Sequence, residues 1–280
     1  MAENYREVFA THPRDAKTYD TQRLREEFLV ETVLNEDKIV WNYSHYDRLM
    51  VGGVIPVNQE IVLETIEPLK SENFLDRREL GIVNVGSKGI VVVDGTEYEI
   101  DYKEAIYVGM GCKEIVLKSC DAANPARFYM NSAPAHQAFP TVKVGREDAI
   151  VIELGEAESS NRRTLNKLIV NDTIKTNQLQ MGMTELHPGS VWNTMPAHTH
   201  SRRMEAYFYF EVPKNHSICH MMGEPTETRH VWMQNEQAIF SPTWSIHSAA
   251  GTSNYTFIWG MGGENLAYGD MDVIATPDLR

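Results

Sequence analysis

The stretch MPAHTHSRRMEAYFYF, residues 195–210, holds two histidines one residue apart, a pair of arginines, a glutamate and a run of alternating aromatic residues. On a strand, positions i and i+2 share a face, so His198 and His200 point the same way. The odd spacing from His198 to Glu205 would put the glutamate on the opposite face of one continuous strand. SRRM (201–204) therefore reads as a turn, with Glu205 opening the next strand. In EAYFYFEV (205–212) one face carries Glu205, Tyr207, Tyr209 and Glu211. The other carries Ala206, Phe208, Phe210 and Val212. The first is a polar lining and the second a core face, the period-two signature of a half-buried strand.

The same period dominates elsewhere. GIVVVDGTEYEI (89–100) is a hairpin signal, with a β-branched run, Asp94-Gly95 and then alternation. AIYVGMGCKEIVL (105–117) has the strand, glycine punctuation and strand of a barrel corner, and NYTFIWGM (254–261) is a further strand. Only DTQRLREEFLVETVL (20–34) reads as helix, with Leu24, Phe28 and Leu29 at helical spacing and Asp20 or Thr21 able to cap. Many short strands with turn signals between them predict a mainly all-β chain built as barrels or jelly rolls, with a few short helices.

The two halves can be laid on each other. RRELGIVNV (77–85) matches RRMEAYFYF (202–210), and EAIYVGMGCKE (104–114) matches QAIFSPTWSIH (237–247). The register changes between the two matches, which a longer hairpin around NHSICHMMGEPTETRH (215–230) would absorb. A tandem duplication is expected, with halves at 1–150 and 151–280 and a boundary in the Pro-, Gly- and charge-rich text of 140–160.

Bulk properties narrow the function. The chain has 280 residues, 42% of them hydrophobic, and a net charge of −13. That balance argues against nucleic acid and against an anionic membrane surface as partners, while a small acidic substrate stays compatible. Cys112, Cys120 and Cys219 are odd in number and have no C-x-x-C spacing, as expected of reduced thiols in a cytoplasmic protein. MAENYREVFATHPRD (1–15) has no apolar run, so no signal peptide is expected, and no stretch has the roughly 18 apolar residues of a membrane span.

His198, His200 and Glu205, joined by His247 from SPTWSIHSAAG (241–251), supply three imidazoles and a carboxylate if their strands are neighbours. Such a set suits Zn, Fe, Mn, Ni or Co and leaves coordination positions open. An isolated H-x-H among ten histidines would carry little meaning; the glutamate and the distant histidine make the pattern demanding.

Gly189…His198-x-His200-x4-Glu205, followed by Pro242-x-Trp244-x-x-His247, resembles the two cupin motifs. Trp244 stands where those motifs usually have glycine, the gap from Gly189 to His198 is long, and no glycine closes the first motif. In the first half the matching positions are Asn73, Leu75, Leu80 and Glu114, so one metal per chain is expected. The resemblance extends over about 20–280 to the 5-keto-4-deoxyuronate isomerase family of bacterial pectin breakdown. YSHYDRLMVGGVIP (43–56), RRELGIVNVG (77–86), SNRRTLNKLIV (160–170), NTMPAHTHSRRMEAYFYF (193–210), EQAIFSPTWSIHS (236–248) and YTFIWGMGGEN (255–265) carry it.

That resemblance implies tandem cupin-like barrels, a homohexamer, and zinc held by His198, His200, Glu205 and His247. It also implies an aldose–ketose isomerisation, 5-dehydro-4-deoxy-D-glucuronate to 3-deoxy-D-glycero-2,5-hexodiulosonate. A Lewis acid suits the reaction, because removing a proton next to a carbonyl leaves an enediolate whose charge must be held. Tyr207, Arg202 and Arg203 are the catalytic candidates, with Tyr207 equally readable as a barrel-lining hydrogen-bonder. Arg162, Arg163 and Lys167 are candidates for the substrate carboxylate. Two other readings stay open. One is a different metal-cupin enzyme, either similar to 5-deoxyglucuronate isomerase or an oxygenase. The other is a non-enzymatic sugar-acid binding module.

Overall fold

A computed structural model describes residues 4–264 and 266–280; residues 1–3 and Asn265, which ends one of the stretches quoted above, lie outside the described residues. The chain is mostly strand. Two large sheets each pair with a four-stranded sheet, and the two assemblies repeat one topology.

In the first assembly the large sheet runs, in spatial order, Tyr5–Val8, Trp41–Ser44, Met50–Val54, Phe128–Pro134, Arg78–Asn84, Ala105–Val108 and Val142–Val144. In the second it runs Ile150–Leu154, Arg163–Ile169, Gln180–Leu186, Thr256–Gly263, Arg203–Phe210, Gln237–Ser241 and Leu29–Val30, the six strands from Arg163–Ile169 onward matching the last six of the first. Cross-strand registers coincide as well. Leu80 faces Val108 and Val83 faces Ala105 in the first. Glu205 faces Ser241 and Phe208 faces Ala238 in the second. This is the register of the two sequence matches, so Leu80 occupies the place of Glu205. The shift between the matches has two sources. Each arm of the hairpin Ile218–Glu224 and Glu227–Met233 has seven residues, against five in Gly89–Val93 and Thr96–Ile100. The rest lies in the longer loop ahead of that hairpin.

One feature departs from a plain division at 150. Leu29–Val30 pairs with Gln237–Ser241 and closes the second sheet, as Val142–Val144 closes the first. The helix Thr21–Phe28 leads into it, capped by the Asp20 carboxylate, which accepts from Arg23 N at 2.8 Å. Leu24 and Phe28 are buried in the core of the second barrel. Trp244, which replaces the usual glycine, packs edge-on against Phe28 with ring centroids 6.2 Å apart. The helix anchors to the C-terminal half because its apolar face has a partner there.

The large sheets pack face to face. Met204, Ala206, Phe208 and Phe210 join Val83, Tyr107 and Tyr129 in one core, and Tyr129 stacks on Phe208 at 4.4 Å. Alternation then sends Glu205, Tyr207 and Tyr209 into the second barrel. Glu211 does not continue that lining. The strand ends at Phe210, and Glu211 takes a left-handed φ of 54° that breaks the alternation. The interior of the first barrel is closed by side chains such as Leu75, Leu80, Ile82, Phe74 and Met130. Its counterparts of two ligand positions are thus core leucines.

Polar pins cross between the halves. Glu79, fully buried, accepts from Tyr107 Oη and from the backbone N–H groups of Asn177, Gln178 and Leu179, each at 2.7–2.8 Å. Lys103 Nζ donates to Glu185 Oε2 at 2.7 Å and to Glu211 Oε2 at 2.9 Å. Burial alone would raise the Glu211 carboxyl, but hydrogen bonds from Lys103, Thr256 and Tyr102 hold it below the ordinary value. A depressed carboxylate contributes stability that is complete above its unfolded pKa of about 4.3 and lost as pH falls through the folded value. Lys103→Met is therefore expected to lower unfolding free energy by about 1–3 kcal/mol at pH 7. Urea titrations should show that gap to wild type narrowing below about pH 4; a gap independent of pH would disprove the role given to Glu211.

Candidate metal centre

Four donor side chains meet at one end of the second barrel. His198 sits on the two-residue strand His198–Thr199, paired with Asp272–Val273 from the C-terminal segment. Ser201 and Arg202 form the turn, and Arg203–Phe210 brings Glu205 in as the first inward residue beyond Arg203. His247 arrives from the segment before Ser248–Gly251. That segment is fixed by Ile246 N donating to Gly223 O and by Ser245 Oγ accepting from Gly223 N, both at 2.9 Å.

The ligand atoms of His198, His200, Glu205 and His247 all lie within 4.8 Å of one another. Four separations are 3.0–3.2 Å: His198 to His200, His198 to His247, and Glu205 Oε2 to His200 and to His247, each through Nε2. Four donors about 2.0 Å from a tetrahedral centre stand about 3.3 Å apart, and cis donors of an octahedral ion with bonds of about 2.1 Å stand about 3.0 Å apart. The spacing fits a first-row divalent ion of either preference.

The protonation pattern argues the same way. His200 Nδ1 lies 2.8 Å from the carbonyl oxygen of Asp270, which can only accept, so that nitrogen carries the proton. His200 Nε2 then presents a lone pair toward Glu205 and His198. Burial and the neighbouring His247 push His198 down to about 2, so it stays neutral. Burial alone would raise Glu205, but the imidazoles of His247 and His200 hold it well below the usual carboxylate range. Four donor atoms packed this closely, one of them on a buried carboxylate, crowd their lone pairs together, and a cation at their centre turns that repulsion into attraction. His200, Glu205 and His247 are buried and His198 is half-buried.

The centre opens onto a cavity of about 380 Å³. Its walls are the inward faces of the large sheet, with Thr184, Leu165, Phe257, Trp259 and Tyr207. Ile152, Leu154, Met195, Pro196, Met271 and Val273 also line the cavity and are the more solvent-exposed part of its apolar lining. Arg203 holds the C-terminal segment over it, donating to Ala267 O at 2.7 Å and Tyr268 O at 2.9 Å.

The remaining sequence candidates separate clearly. Arg163 lines the cavity, and burial lowers its pKa from the ordinary guanidinium value. Arg203 also lines it, with its guanidinium turned to the backbone carbonyls of 267–270. Arg202 is solvent-exposed and paired with Glu264 at 2.8 Å, and Arg162 is exposed. Lys167 lies over the Tyr268 ring at 4.1 Å, outside the cavity wall. Tyr207 is 3% exposed; burial first and Glu205 second push its hydroxyl well above the usual phenol value, so it stays protonated. His220, wholly buried against Tyr209 Oη at 2.7 Å, is pushed down to about 3 by burial and is a core histidine. Sequence reasoning did not single out Thr194, Trp259, Tyr268 or the Asp270 carbonyl. A backbone carbonyl and an apolar wall leave no local pattern to read.

A family model described as the KduI/IolB family matches residues 30–278. The chain is 58% identical, over all 280 residues of both proteins, to a protein of Formosa agariphila named 4-deoxy-L-threo-5-hexosulose-uronate ketol-isomerase. The crystal structure of an IolB-like protein from Salmonella typhimurium superposes with a TM-score of 0.73 at 13% identity, over 88% of this chain and 96% of that one. Oxalate decarboxylase from Bacillus subtilis gives 0.55 at 9% identity, over 78% and 70%. At those identities the structures speak for the cupin fold alone.

Proposed function

The chain belongs to the KduI/IolB family, and from that premise we propose that it isomerises 5-dehydro-4-deoxy-D-glucuronate to 3-deoxy-D-glycero-2,5-hexodiulosonate in the breakdown of pectin-derived uronates. It is an enzyme of the ketol-isomerase type, an intramolecular oxidoreductase. The observation that carries the reading is the full-length identity to a ketol-isomerase combined with three histidines and a glutamate converging on one cavity.

His198, His200, Glu205 and His247 are the residues that would hold the ion, and we take it to be zinc, one per chain. Bound there, a divalent cation supplies Lewis acidity to the carbonyl and neighbouring hydroxyl oxygens of the sugar. The protein's own groups do the rest. The Asp270 carbonyl fixes the tautomer and tilt of His200. Arg163, a cation on the wall, meets the substrate carboxylate. Phe257, Trp259 and Met261 keep bulk water from the reacting carbons and offer an apolar surface to the deoxy carbon. In the net reaction one carbon-bound proton moves from the hydroxyl-bearing carbon to its aldehyde neighbour, while the hydroxyl proton moves between the two oxygens.

We further infer a homo-oligomer, a hexamer as in the family, and a cytoplasmic enzyme. Ile150, Val151 and Leu154 are exposed on Ile150–Leu154, the outermost strand of the second large sheet, and an uncovered apolar edge is a template for another subunit. Cys112, Cys120 and Cys219 are all free, as suits a reducing compartment.

The test is direct. The metal-loaded chain is incubated with the uronate released from unsaturated pectin fragments, and the aldehyde proton is followed by NMR. Loss of that signal with appearance of the ketose is expected, and stripping with a strong chelator should stop it. A metal-loaded chain that leaves the aldehyde untouched rules the reading out; turnover that survives complete metal removal rules out the Lewis acid.

A further inference from the structure

Thr194 lies in the cavity wall, between the short strand Trp192–Asn193 and the ligand strand His198–Thr199. Its φ is 48°, in the left-handed region that β-branched residues avoid. Glycine or asparagine would carry that backbone more easily. What threonine adds is a hydroxyl at a fixed place, and its Oγ1 lies 3.0 Å from Tyr207 Oη. Strain of this kind persists where the surroundings over-determine a residue, and it gathers at functional sites.

Tyr207 stands beside the metal centre. It is the next inward residue after Glu205, its ring meets the His247 ring edge-on at 5.4 Å, and Phe257 tilts against it at 4.7 Å. Those rings and the strand leave the phenol little freedom except rotation of its O–H. The direction of that bond depends on Thr194. A phenol that donates to Thr194 has used its only proton. A phenol that accepts from Thr194 keeps the proton for a second partner.

We propose that Thr194 is a positioning residue: its hydroxyl donates to Tyr207 Oη and turns the phenolic O–H into the cavity, where Tyr207 donates to the substrate oxygen that gains negative charge during isomerisation. The phenol keeps its proton throughout and acts as an oxyanion donor. This rests on the ketol-isomerase reading above. It explains why a β-branched residue is held in a backbone region it disfavours: the fixed hydroxyl orients a group that matters in the transition state.

The purified, metal-loaded enzyme is assayed as wild type, Thr194→Val, Thr194→Ser, Thr194→Gly, Tyr207→Phe and the double variant Thr194→Val/Tyr207→Phe. Thr194→Val should lower kcat about 10- to 30-fold with KM within about twofold and metal content unchanged, and Thr194→Ser should stay within about threefold of wild type. Thr194→Gly should match or exceed the wild-type Tm and still show the kcat loss, separating strain relief from function. The double variant should be no slower than Tyr207→Phe, because Thr194 acts only through the phenol. Wild-type kcat in Thr194→Val, or losses that multiply in the double variant, would overturn the proposal. A wild type that does not isomerise overturns the ketol-isomerase reading itself, so the two failures are distinguishable.

Discussion

Replacing His200 with alanine is expected to abolish binding of the ion proposed to be zinc and to lower turnover by about 10³-fold or more while leaving the fold intact. The side chain is buried, with Nε2 facing Glu205 and His198 at 3.2 Å and Nδ1 held by the Asp270 carbonyl. Its loss removes one of four donors, one whose ring is oriented by a hydrogen bond of its own to the Asp270 carbonyl. Removing one oxyanion donor alone typically costs 10²–10³-fold in enzymes, and on the proposed reading the ion that would polarise the reacting oxygens would be lost as well. The hydrophobic cores do not include His200, so circular dichroism should be unchanged. Added zinc should raise the Tm of the wild type, since a ligand that binds only the folded state stabilises it, and should do so far less for His200→Ala. A variant that keeps wild-type zinc content would show the ligand set to be wrong.

Arg163→Met should produce the second large effect, and of a different kind. Arg163 lines the cavity, whereas Arg203 turns its guanidinium to the carbonyls of 267–270. Truncating one member of a desolvated, hydrogen-bonded charge pair costs about 2–5 kcal/mol, which corresponds to about 30-fold or more in kcat/KM. The substrate carboxylate stays charged from start to finish and is remote from the reacting carbons. The contact is therefore the same in ground and transition states, and the loss should appear in KM with kcat within about threefold. Arg162→Met and Arg202→Met are the controls, both exposed and both expected to leave KM unchanged. An unchanged KM in Arg163→Met, or a loss confined to kcat, would show that the carboxylate is held elsewhere.

The sequence alone determined a good deal. Period-two alternation in 205–210 divided polar lining from core face, because the pleat sends successive side chains to opposite sides whatever their surroundings. Parity forced a turn within 201–204 and made Glu205 inward; the structure narrows the turn to Ser201–Arg202 and starts the strand at Arg203, two residues before Glu205. The two internal matches carried the strand register of both barrels, since a shift of one residue would have exposed every core side chain. Three of the four donors were legible for the same local reason: H-x-H and the next inward glutamate lie on two strands joined by one short turn, whereas His247 comes from a distant segment.

Tertiary structure decided what depends on partners distant in the chain. Leu29–Val30 closes the second sheet because Phe28 and Leu24 find their apolar partners there. Glu211 leaves the lining because a left-handed residue ends the strand and a lysine from the first half waits for its carboxylate. The two arginines beside the ligands look alike in sequence, yet one is turned to solvent and the other is buried under the C-terminal segment. Thr194 became visible only when its hydroxyl was seen against Tyr207. Spacing along the chain fixes which face a side chain occupies; what it meets on that face is set by segments far away, and that required the fold.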